Sequence, residues 1–247
     1  MKAKIFSSKI SGKITSPTSK SYLQRALAAA LLSEGESKIV FNNFCDDTFA
    51  ALSIIKTLGA DVKGIDNGLA IKGGINPKGP VLDCYESGLC MRLFSPIASL
   101  TGDEFTLIGT GSLLKRPQKL VEDALTKFDV NVITVDSFPP LRIRGPLNAS
   151  HVRIDGSLSS QLVSGLLMAL PLLEEDSEIG IDNMVSHRYV DMTINLLKDF
   201  GIEILKSDNN VFRIKGKQKY IGTDYVVEGD WSGSSFLIVA GLILGKI

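Results

Sequence analysis

The sequence predicts a mixed α/β (α+β) fold built from one unit that occurs three times. Similar segments recur along the chain: LAIKG at 69–73, LRIRG at 141–145 and FRIKG at 212–216, at spacings of 72 and 71 residues. Each of them follows a helix-like segment that runs into a strand-like segment. Self-similarity at a fixed period is the sequence signature of a repeated structural unit. We therefore expect three copies of one unit in this chain.

Within each unit the hydrophobic pattern predicts the order strand, helix, strand, helix, strand, strand. Apolar residues at i, i+3 and i+4 indicate the helices, and alternation on both sides of a polar turn indicates the last two strands. In the third unit the six predicted elements span 152–155, 159–173, 177–182, 188–200, 202–207 and 211–216. The helix over 159–173 is apolar on most sides, and such a helix has to be covered all round.

The two ends of the chain fall outside the three units. Residues 225–245 resemble residues 152–172, which predicts that a fourth unit opens there with its strand and first helix. An apolar helix needs a sheet or another helix against which to bury its surface, and this chain offers no such partner for the last helix. We therefore expect this chain to be the first part of a longer one. The alternative is that the helix packs back on the same domain. Residues 1–18, with alternating runs at 2–8 and 12–16, are expected to be outlying strands that pair with the missing part of the longer protein.

Composition excludes several classes of function. The chain has 247 residues, of which 44% are hydrophobic and 22% charged, as in an ordinary globular protein. Its 27 basic residues equal its 27 acidic residues, so no overall field attracts nucleic acid or an anionic membrane, and no apolar run is long enough to cross a bilayer. Cys45, Cys84 and Cys90 form no paired motif, and with only two histidines the sequence shows no zinc pattern. A reduced, cytoplasmic compartment fits best.

The starts of the predicted first helices share a pattern of small polar residues. These residues are Ser19, Ser21, Ser87, Gly88, Ser159, Ser160, Ser232, Ser234 and Ser235. Capping explains serines there, but it does not explain the cations Lys20, Arg25, Arg92 and Arg116, which lie at early turns where the helix dipole opposes positive charge. Arg92 stands between Met91 and Leu93, so it should either pair with an acid or face a ligand. Several basic helix starts together indicate a site for a small, multiply charged anion.

Seven blocks of the sequence, in order, resemble the 3-phosphoshikimate 1-carboxyvinyltransferases, also called EPSP synthases. The blocks lie at 16–37, 46–62, 87–94, 109–117, 155–173, 185–202 and 227–241. The resemblance implies two similar domains, each of three βαβαββ units, with the chain crossing between them twice. It assigns 1–18 to outlying strands of an incomplete domain, 19–230 to a complete three-repeat substrate-binding domain, and 231–247 to the start of the incomplete second domain.

The resemblance also implies a reaction. Members of the family transfer the enolpyruvyl group of phosphoenolpyruvate to the 5-hydroxyl of shikimate 3-phosphate, through a tetrahedral intermediate that then eliminates phosphate. The reaction belongs to the shikimate pathway of aromatic amino-acid biosynthesis and uses no metal or organic cofactor. Its site lies between the two domains of a full-length protein that we expect to be a monomer in the cytoplasm. We expect the present chain to be inactive alone, since the family's proton-accepting acid has no counterpart in it.

Individual roles follow from the matched positions. The resemblance places Lys20 between the two substrates as a catalytic residue, Ser21 and Arg25 on shikimate 3-phosphate, and Gly88 and Arg116 at phosphoenolpyruvate. Further positions that match residues around the phosphorylated sugar acid are Ser159, Ser160, Gln161, Ser186 and Tyr189, and Gln161 also matches a phosphoenolpyruvate contact. The alternative is that Ser159 and Ser186 only cap helices and that Tyr189 is a core aromatic side chain.

The sequence departs from the family pattern at a few positions. Glu86 and Leu89 stand where an asparagine and a threonine are frequent, close to the expected phosphoenolpyruvate pocket. A carboxylate there would oppose an anion unless it is paired or turned away, which puts phosphoenolpyruvate affinity and glyphosate sensitivity in doubt. His187 and Arg188 also differ from the usual residues beside the site, where they either add positive charge or face solvent.

Three other functions compete with this one. UDP-N-acetylglucosamine enolpyruvyl transferases usually have Lys-Asn at the opening and a cysteine in the loop near Arg116, whereas this chain has Lys20-Ser21 and no such cysteine. RNA 3'-phosphate cyclases would need RNA contacts that the balanced charge does not supply. The remaining alternative is a non-catalytic domain that binds shikimate 3-phosphate.

Overall fold

A computed structural model describes residues 4, 6, 10–157 and 159–246. Its α-helices are α1 (Lys20–Leu32), α2 (Asp46–Thr57), α3 (Gly88–Ala98), α4 (Lys119–Leu125), α5 (Ser160–Ala169), α6 (His187–Asp199) and α7 (Trp231–Leu244). Short 3-10 turns lie at Gly111–Lys115, Thr126–Phe128 and Leu170–Leu172. The strands are β1 (Ile10–Ser11), β2 (Ser33–Glu34), β3 (Glu36–Val40), β4 (Asp61–Ile65), β5 (Gly68–Lys72), β6 (Val81–Asp83), β7 (Glu104–Ile108), β8 (Asn131–Val135), β9 (Phe138–Arg144), β10 (His151–Asp155), β11 (Ser177–Asp182), β12 (Ile204–Lys206), β13 (Val211–Ile214), β14 (Tyr220–Ile221), β15 (Asp224–Val226) and β16 (Gly245–Lys246).

Three four-stranded sheets share one topology, which confirms the predicted mixed α/β fold of three repeated units. The strand orders are β15-β3-β5-β4, β6-β7-β9-β8 and β10-β11-β13-β12. In each sheet the first two strands are parallel and the other two pairs are antiparallel. A helix follows the first parallel strand in the second and third units, as the element order predicts.

The first unit takes its outer strand from the far end of the chain. Strand β15 pairs in parallel with β3, with Tyr225 opposite Ile39, so the expectation that this strand opens a fourth unit is wrong. The run 12–16 is largely exposed and shows no strand pairing among the described residues. Its expected partner is a part of the protein that this chain does not include, so a strand there stays a prediction. The predicted strand over 2–8 lies mostly outside the described residues.

The core surrounds the first helices of the units. Helices α1, α3 and α5 begin directly after Ser19, Ser87 and Ser159, as predicted. In α5 every residue except Gln161 is buried, so this apolar helix is covered all round. A Cβ at Gly165 would lie 2.6 Å from the carbonyl oxygen of Leu93, and only glycine allows α5 to approach α3 this closely.

Helix α7 is apolar but exposed. The Asp230 carboxylate caps its start by accepting the Gly233 N–H at 2.8 Å, and the helix contacts β1 and β16. None of its residues is buried, and Phe236 is 83% exposed, so the alternative in which α7 packs back on the same domain is wrong. Across the described residues, no helix combines the length and the apolar character needed to span a membrane.

Candidate functional site

Two adjoining cavities lie where the N-terminal ends of α1, α3, α5 and α6 meet. The Arg25 cavity, of about 300 Å³, is lined by Lys20, Ser21, Arg25, Leu89, Ser159, Ser160, Gln161, Ser186 and Tyr189. The Arg116 cavity, of about 350 Å³, is lined by Lys20, Ser21, Asp47, Glu86, Gly88, Leu89, Ser112, Arg116 and Gln161. All ten residues predicted from the sequence therefore come together here, and Lys20, Ser21 and Gln161 line both cavities.

Arg25 is a buried cation with only neutral partners. Its side chain is 1% exposed, and it donates to Thr193 Oγ1 at 2.8 Å, to Ser164 Oγ at 3.1 Å and to the carbonyl of Ser21 at 2.9 Å. Within the described part of the chain, none of these partners is a carboxylate. Burial lowers the pKa of the Arg25 guanidinium to about 10, because an unpaired charge is disfavoured away from water. The arrangement suits an incoming anion.

Lys20 is the cation at the junction of the two cavities. Its Nζ lies 2.9 Å from Oδ2 of Asp47, at the start of α2, and about half of its side chain is exposed. The hydrogen bond with Asp47 raises the pKa of Lys20 in spite of burial, which lowers it. Lys20 is therefore protonated at neutral pH.

The serines at the helix starts divide into two kinds. Ser159 accepts the backbone N–H of Gln161 at 3.1 Å, so its hydroxyl does act as a cap while it lines the Arg25 cavity. Ser186 precedes α6 in the left-handed conformation, at φ 56°, and its side chain makes no capping hydrogen bond. Tyr189 is 41% exposed, so the alternative of a core aromatic side chain is wrong. Uncapped helix amides and hydroxyls face the same space, which is how helix starts bind anions.

Two arginines and a glutamine shape the Arg116 cavity around Gly88. A Cβ at Gly88 would lie 3.3 Å from Nη1 of Arg116 and 3.9 Å from Oε1 of Gln161. Arg92 donates to Oε1 of Gln161 at 3.0 Å and to Oε1 of Gln118 at 3.1 Å. Burial, and then the neighbouring Arg116 cation, lower the pKa of Arg92. Of the two possibilities for Arg92, pairing with an acid is excluded among the described residues.

The residues that depart from the family pattern also lie here. Leu89 lines both cavities, and the Glu86 carboxylate accepts the Ser112 N–H at 2.8 Å. His187 is exposed, and Arg188 lines a neighbouring depression with Lys20 and Asp230.

Sequence reasoning missed four contributors: Asp47, Ser112, Ser164 and Thr193. Asp47 belongs to the acidic start of α2, a pattern that is visible in the sequence as a helix N-terminus and gives no sign of its partner. Ser164 lies within the apolar helix α5 and Thr193 on the buried face of the amphipathic helix α6. A polar residue at a core position of a helix could have indicated a buried hydrogen-bond partner. In the residues that the structure describes, no three His, Cys, Asp or Glu side chains group in a way that could hold a metal ion.

The fold and the cavities define a mixed α/β protein of three repeated units, whose cations and helix N-termini converge on two joined cavities. A sequence profile described as EPSP synthase (3-phosphoshikimate 1-carboxyvinyltransferase) matches residues 6–247. The chain therefore belongs to the EPSP synthase family.

Individual relatives agree with this assignment. The 3-phosphoshikimate 1-carboxyvinyltransferase of Clostridium kluyveri is 39% identical over 241 residues, which is 96% of this chain and 56% of the relative. The protein of that name from Methanocorpusculum labreanum is 36% identical over 252 residues, covering 100% of this chain and 60% of the relative. The structure of EPSP synthase from Acinetobacter baumannii superposes with a TM-score of 0.82 at 26% identity, over 94% of this chain and 53% of that one. The chain spans somewhat more than half the length of the curated relatives it matches.

Proposed function

We propose that this chain carries the shikimate 3-phosphate-binding part of a 3-phosphoshikimate 1-carboxyvinyltransferase. The observation that carries the proposal is Arg25, a buried and protonated guanidinium with no carboxylate partner in the described structure. A phosphate group would supply the missing negative charge, and charge-assisted hydrogen bonds to arginine are strong when they are buried.

The shape of the Arg25 cavity supports a phosphorylated polyol in particular. The hydroxyls of Ser159, Ser160 and Ser186 line it beside the amide of Gln161 and the phenol of Tyr189. Hydroxyl and amide groups both donate and accept hydrogen bonds, as the ring hydroxyls of shikimate require. Shikimate 3-phosphate therefore has a partner for its phosphate and partners for its ring in one cavity.

Phosphoenolpyruvate is assigned to the Arg116 cavity. Arg116 and Arg92 supply positive charge there, and Gly88 leaves the space between Arg116 and Gln161 open. Lys20 lies at the junction, where its ammonium group offsets the repulsion between the two anions. Such fixed charges stabilise the transition state more than the ground state when charge develops during the reaction.

In this scheme the 5-hydroxyl oxygen of shikimate 3-phosphate gives up its proton and bonds to C2 of phosphoenolpyruvate, while C3 gains a proton. The C2–O bond to the phosphate group then breaks, inorganic phosphate leaves, and loss of a proton from C3 forms the enol ether of the product. Lys20 lines both cavities, and we assign to it the stabilisation of the tetrahedral intermediate. The reaction would take place in the cytoplasm.

The proposal includes a domain organisation. Residues 19–230 form the substrate-binding domain, while 1–18 and 231–247 belong to a second domain. The closure of the first sheet by β15 supports the first assignment. The two chain crossings lie side by side, with Thr18 bridged to Gly229 and with the Asp230 N–H donated to the Pro17 carbonyl at 2.7 Å.

Chemical-shift mapping tests the assignment of the two cavities. Shikimate 3-phosphate should move the backbone signals of Ser160, Ser186 and Tyr189, and phosphoenolpyruvate should move those of Gly88 and Arg116. Ser160→Ala should weaken shikimate 3-phosphate about five-fold, the value of one hydrogen bond. The matched control is Ser207→Ala, which changes an exposed serine outside both cavities. Shifts confined to other surfaces, or equal effects of the two substitutions, would contradict the proposal.

A further inference from the structure

Glu86 lines the Arg116 cavity, where an unpaired carboxylate would repel an anionic substrate. It lies in the turn that joins β6 to α3, two residues before Gly88. The side chain is exposed, so it has room to turn in more than one direction. The direction it takes decides whether it opposes the substrate or serves the site.

The carboxylate is hydrogen-bonded to the loop that carries Arg116. Glu86 Oε2 accepts the backbone N–H of Ser112 at 2.8 Å, at the start of the 3-10 turn Gly111–Lys115. Gly111 has φ 54°, and a Cβ there would overlap the Glu86 carboxyl group. The absence of a side chain at Gly111 therefore leaves room for the Glu86 carboxylate to contact the loop.

Ser112 also hydrogen-bonds to Arg116, in the same loop. Ser112 Oγ accepts Nη2 of Arg116 at 3.0 Å, so a chain of two hydrogen bonds joins Glu86 to that guanidinium. The other terminal nitrogen, Nη1, faces the open space at Gly88. A second link, from the Tyr85 carbonyl to the Thr110 N–H at 2.7 Å, ties the two loops together next to this chain.

Electrostatics agree with this geometry. The pKa of Glu86 is lowered first by the Ser112 N–H, then by the Ser112 hydroxyl, with a further contribution from Arg116. The lowered pKa means that the Glu86 carboxylate is ionised at neutral pH, and the same Ser112 contacts that lower it join the carboxylate to the loop.

We propose that Glu86 is a positioning residue, which anchors the 109–116 loop through Ser112 and thereby holds Arg116 in place for phosphoenolpyruvate. The inference rests on the proposed function for the identity of the ligand. It accounts for a carboxylate beside an anion site, because the role of Glu86 is to hold the loop that carries the arginine.

The test compares two substitutions of Glu86 in the 247-residue chain. Glu86→Gln keeps an oxygen acceptor but removes the charge, whereas Glu86→Ala removes both. If Glu86 positions the loop, Glu86→Ala should raise the dissociation constant of phosphoenolpyruvate about five-fold or more, and Glu86→Gln should stay within about two-fold of the parent chain. Shikimate 3-phosphate should bind all three proteins equally. If both substitutions tighten phosphoenolpyruvate, or if Glu86→Ala has no effect, the proposal is overturned.

A further variant tests the hydrogen bond between Ser112 and Arg116 separately from the one between Glu86 and Ser112, and a second variant serves as the control. Ser112→Ala keeps the backbone N–H that Glu86 accepts but removes the hydroxyl that Arg116 needs, so it should weaken phosphoenolpyruvate as Glu86→Ala does. Glu174→Ala removes an exposed acid elsewhere, one that pairs with Lys217, and should change nothing.

The chemical shift of the Ser112 amide proton tests the hydrogen bond between Glu86 and Ser112 without any ligand. The Ser112 amide proton should resonate downfield in the parent chain, because it donates to a carboxylate, and should move upfield in Glu86→Ala. If phosphoenolpyruvate binds none of the proteins while this signal behaves as expected, the proposed function fails and the anchor stands. An amide signal that does not respond to Glu86→Ala overturns the anchor itself.

Discussion

Replacing Arg25 with methionine should abolish shikimate 3-phosphate binding and leave the fold close to its original stability. Burial lowers the pKa of Arg25 to about 10, and one pKa unit corresponds to 1.36 kcal/mol, so the buried charge opposes folding by roughly 3 kcal/mol at neutral pH. The sign follows from the unfolded state, which holds this proton more tightly than the native state does. The penalty is complete below about pH 10 and fades only as the pH rises toward the unfolded pKa.

The hydrogen bonds of Arg25 act in the opposite direction. Each contributes about 1.5 kcal/mol or more, but their loss leaves no orphaned hydroxyl. Ser164 still donates to the Ser160 carbonyl at 3.1 Å, and Thr193 still donates to the Tyr189 carbonyl at 2.9 Å. The two contributions are of similar size, so we expect the free energy of unfolding to change by no more than about 2 kcal/mol.

Urea denaturation followed by circular dichroism measures the stability change, and calorimetry measures ligand binding. The matched control is Arg213→Met, which removes an exposed arginine paired with Glu178. A loss of about 4 kcal/mol or more in Arg25→Met would mean that Arg25 is a structural residue. Unchanged affinity for shikimate 3-phosphate would remove Arg25 from the binding site.

Three further outcomes are expected. Gly88→Ala places a Cβ 3.3 Å from Nη1 of Arg116, so a chemical-shift titration should show weaker phosphoenolpyruvate binding and unchanged shikimate 3-phosphate binding. Ser159→Ala removes the cap on the Gln161 N–H and should lower the free energy of unfolding by about 1 kcal/mol in urea denaturation. Shikimate 3-phosphate affinity should fall as the pH rises past about 10, where Arg25 loses its proton, and calorimetry at about pH 8 and about pH 10.5 measures the change.

Local signals in the sequence account for what could be predicted of the fold. The starts of α1, α3 and α5 follow from apolar periodicity and from a serine at each N-cap, and neither depends on distant residues. The partner of β15 could not be predicted, because the pairing of Tyr225 with Ile39 joins positions far apart in sequence. The strand predicted over 12–16 stays a prediction, because alternation indicates a strand but the strand also needs a neighbour, and its expected neighbour is not part of this chain.

In the candidate site too, local patterns predicted some features, whereas contacts between distant parts of the chain could not be predicted. Lys20 and Arg25 indicate an anion site because they lie in the first turns of α1, where the helix dipole opposes positive charge, and both line the Arg25 cavity. Arg116, by contrast, follows the end of the 3-10 turn Gly111–Lys115. The pairing of Lys20 with Asp47 depends on how α1 and α2 pack, which no local pattern contains. The Glu86 carboxylate is bound by the N–H of Ser112, 26 residues further along the chain, so its effect on the site could be stated from the sequence only as two alternatives.

The most direct test of the account is a calorimetric titration of this chain with shikimate 3-phosphate, shikimate and inorganic phosphate under the same conditions. The Arg25 cavity offers a cation for the phosphate and hydroxyls for the ring, so both parts of the ligand should contribute to binding. We expect shikimate 3-phosphate to bind with a dissociation constant of about 1 mM and at least about ten-fold more tightly than either of the other two ligands. Shikimate 3-phosphate binding no tighter than inorganic phosphate would contradict the assignment of this cavity.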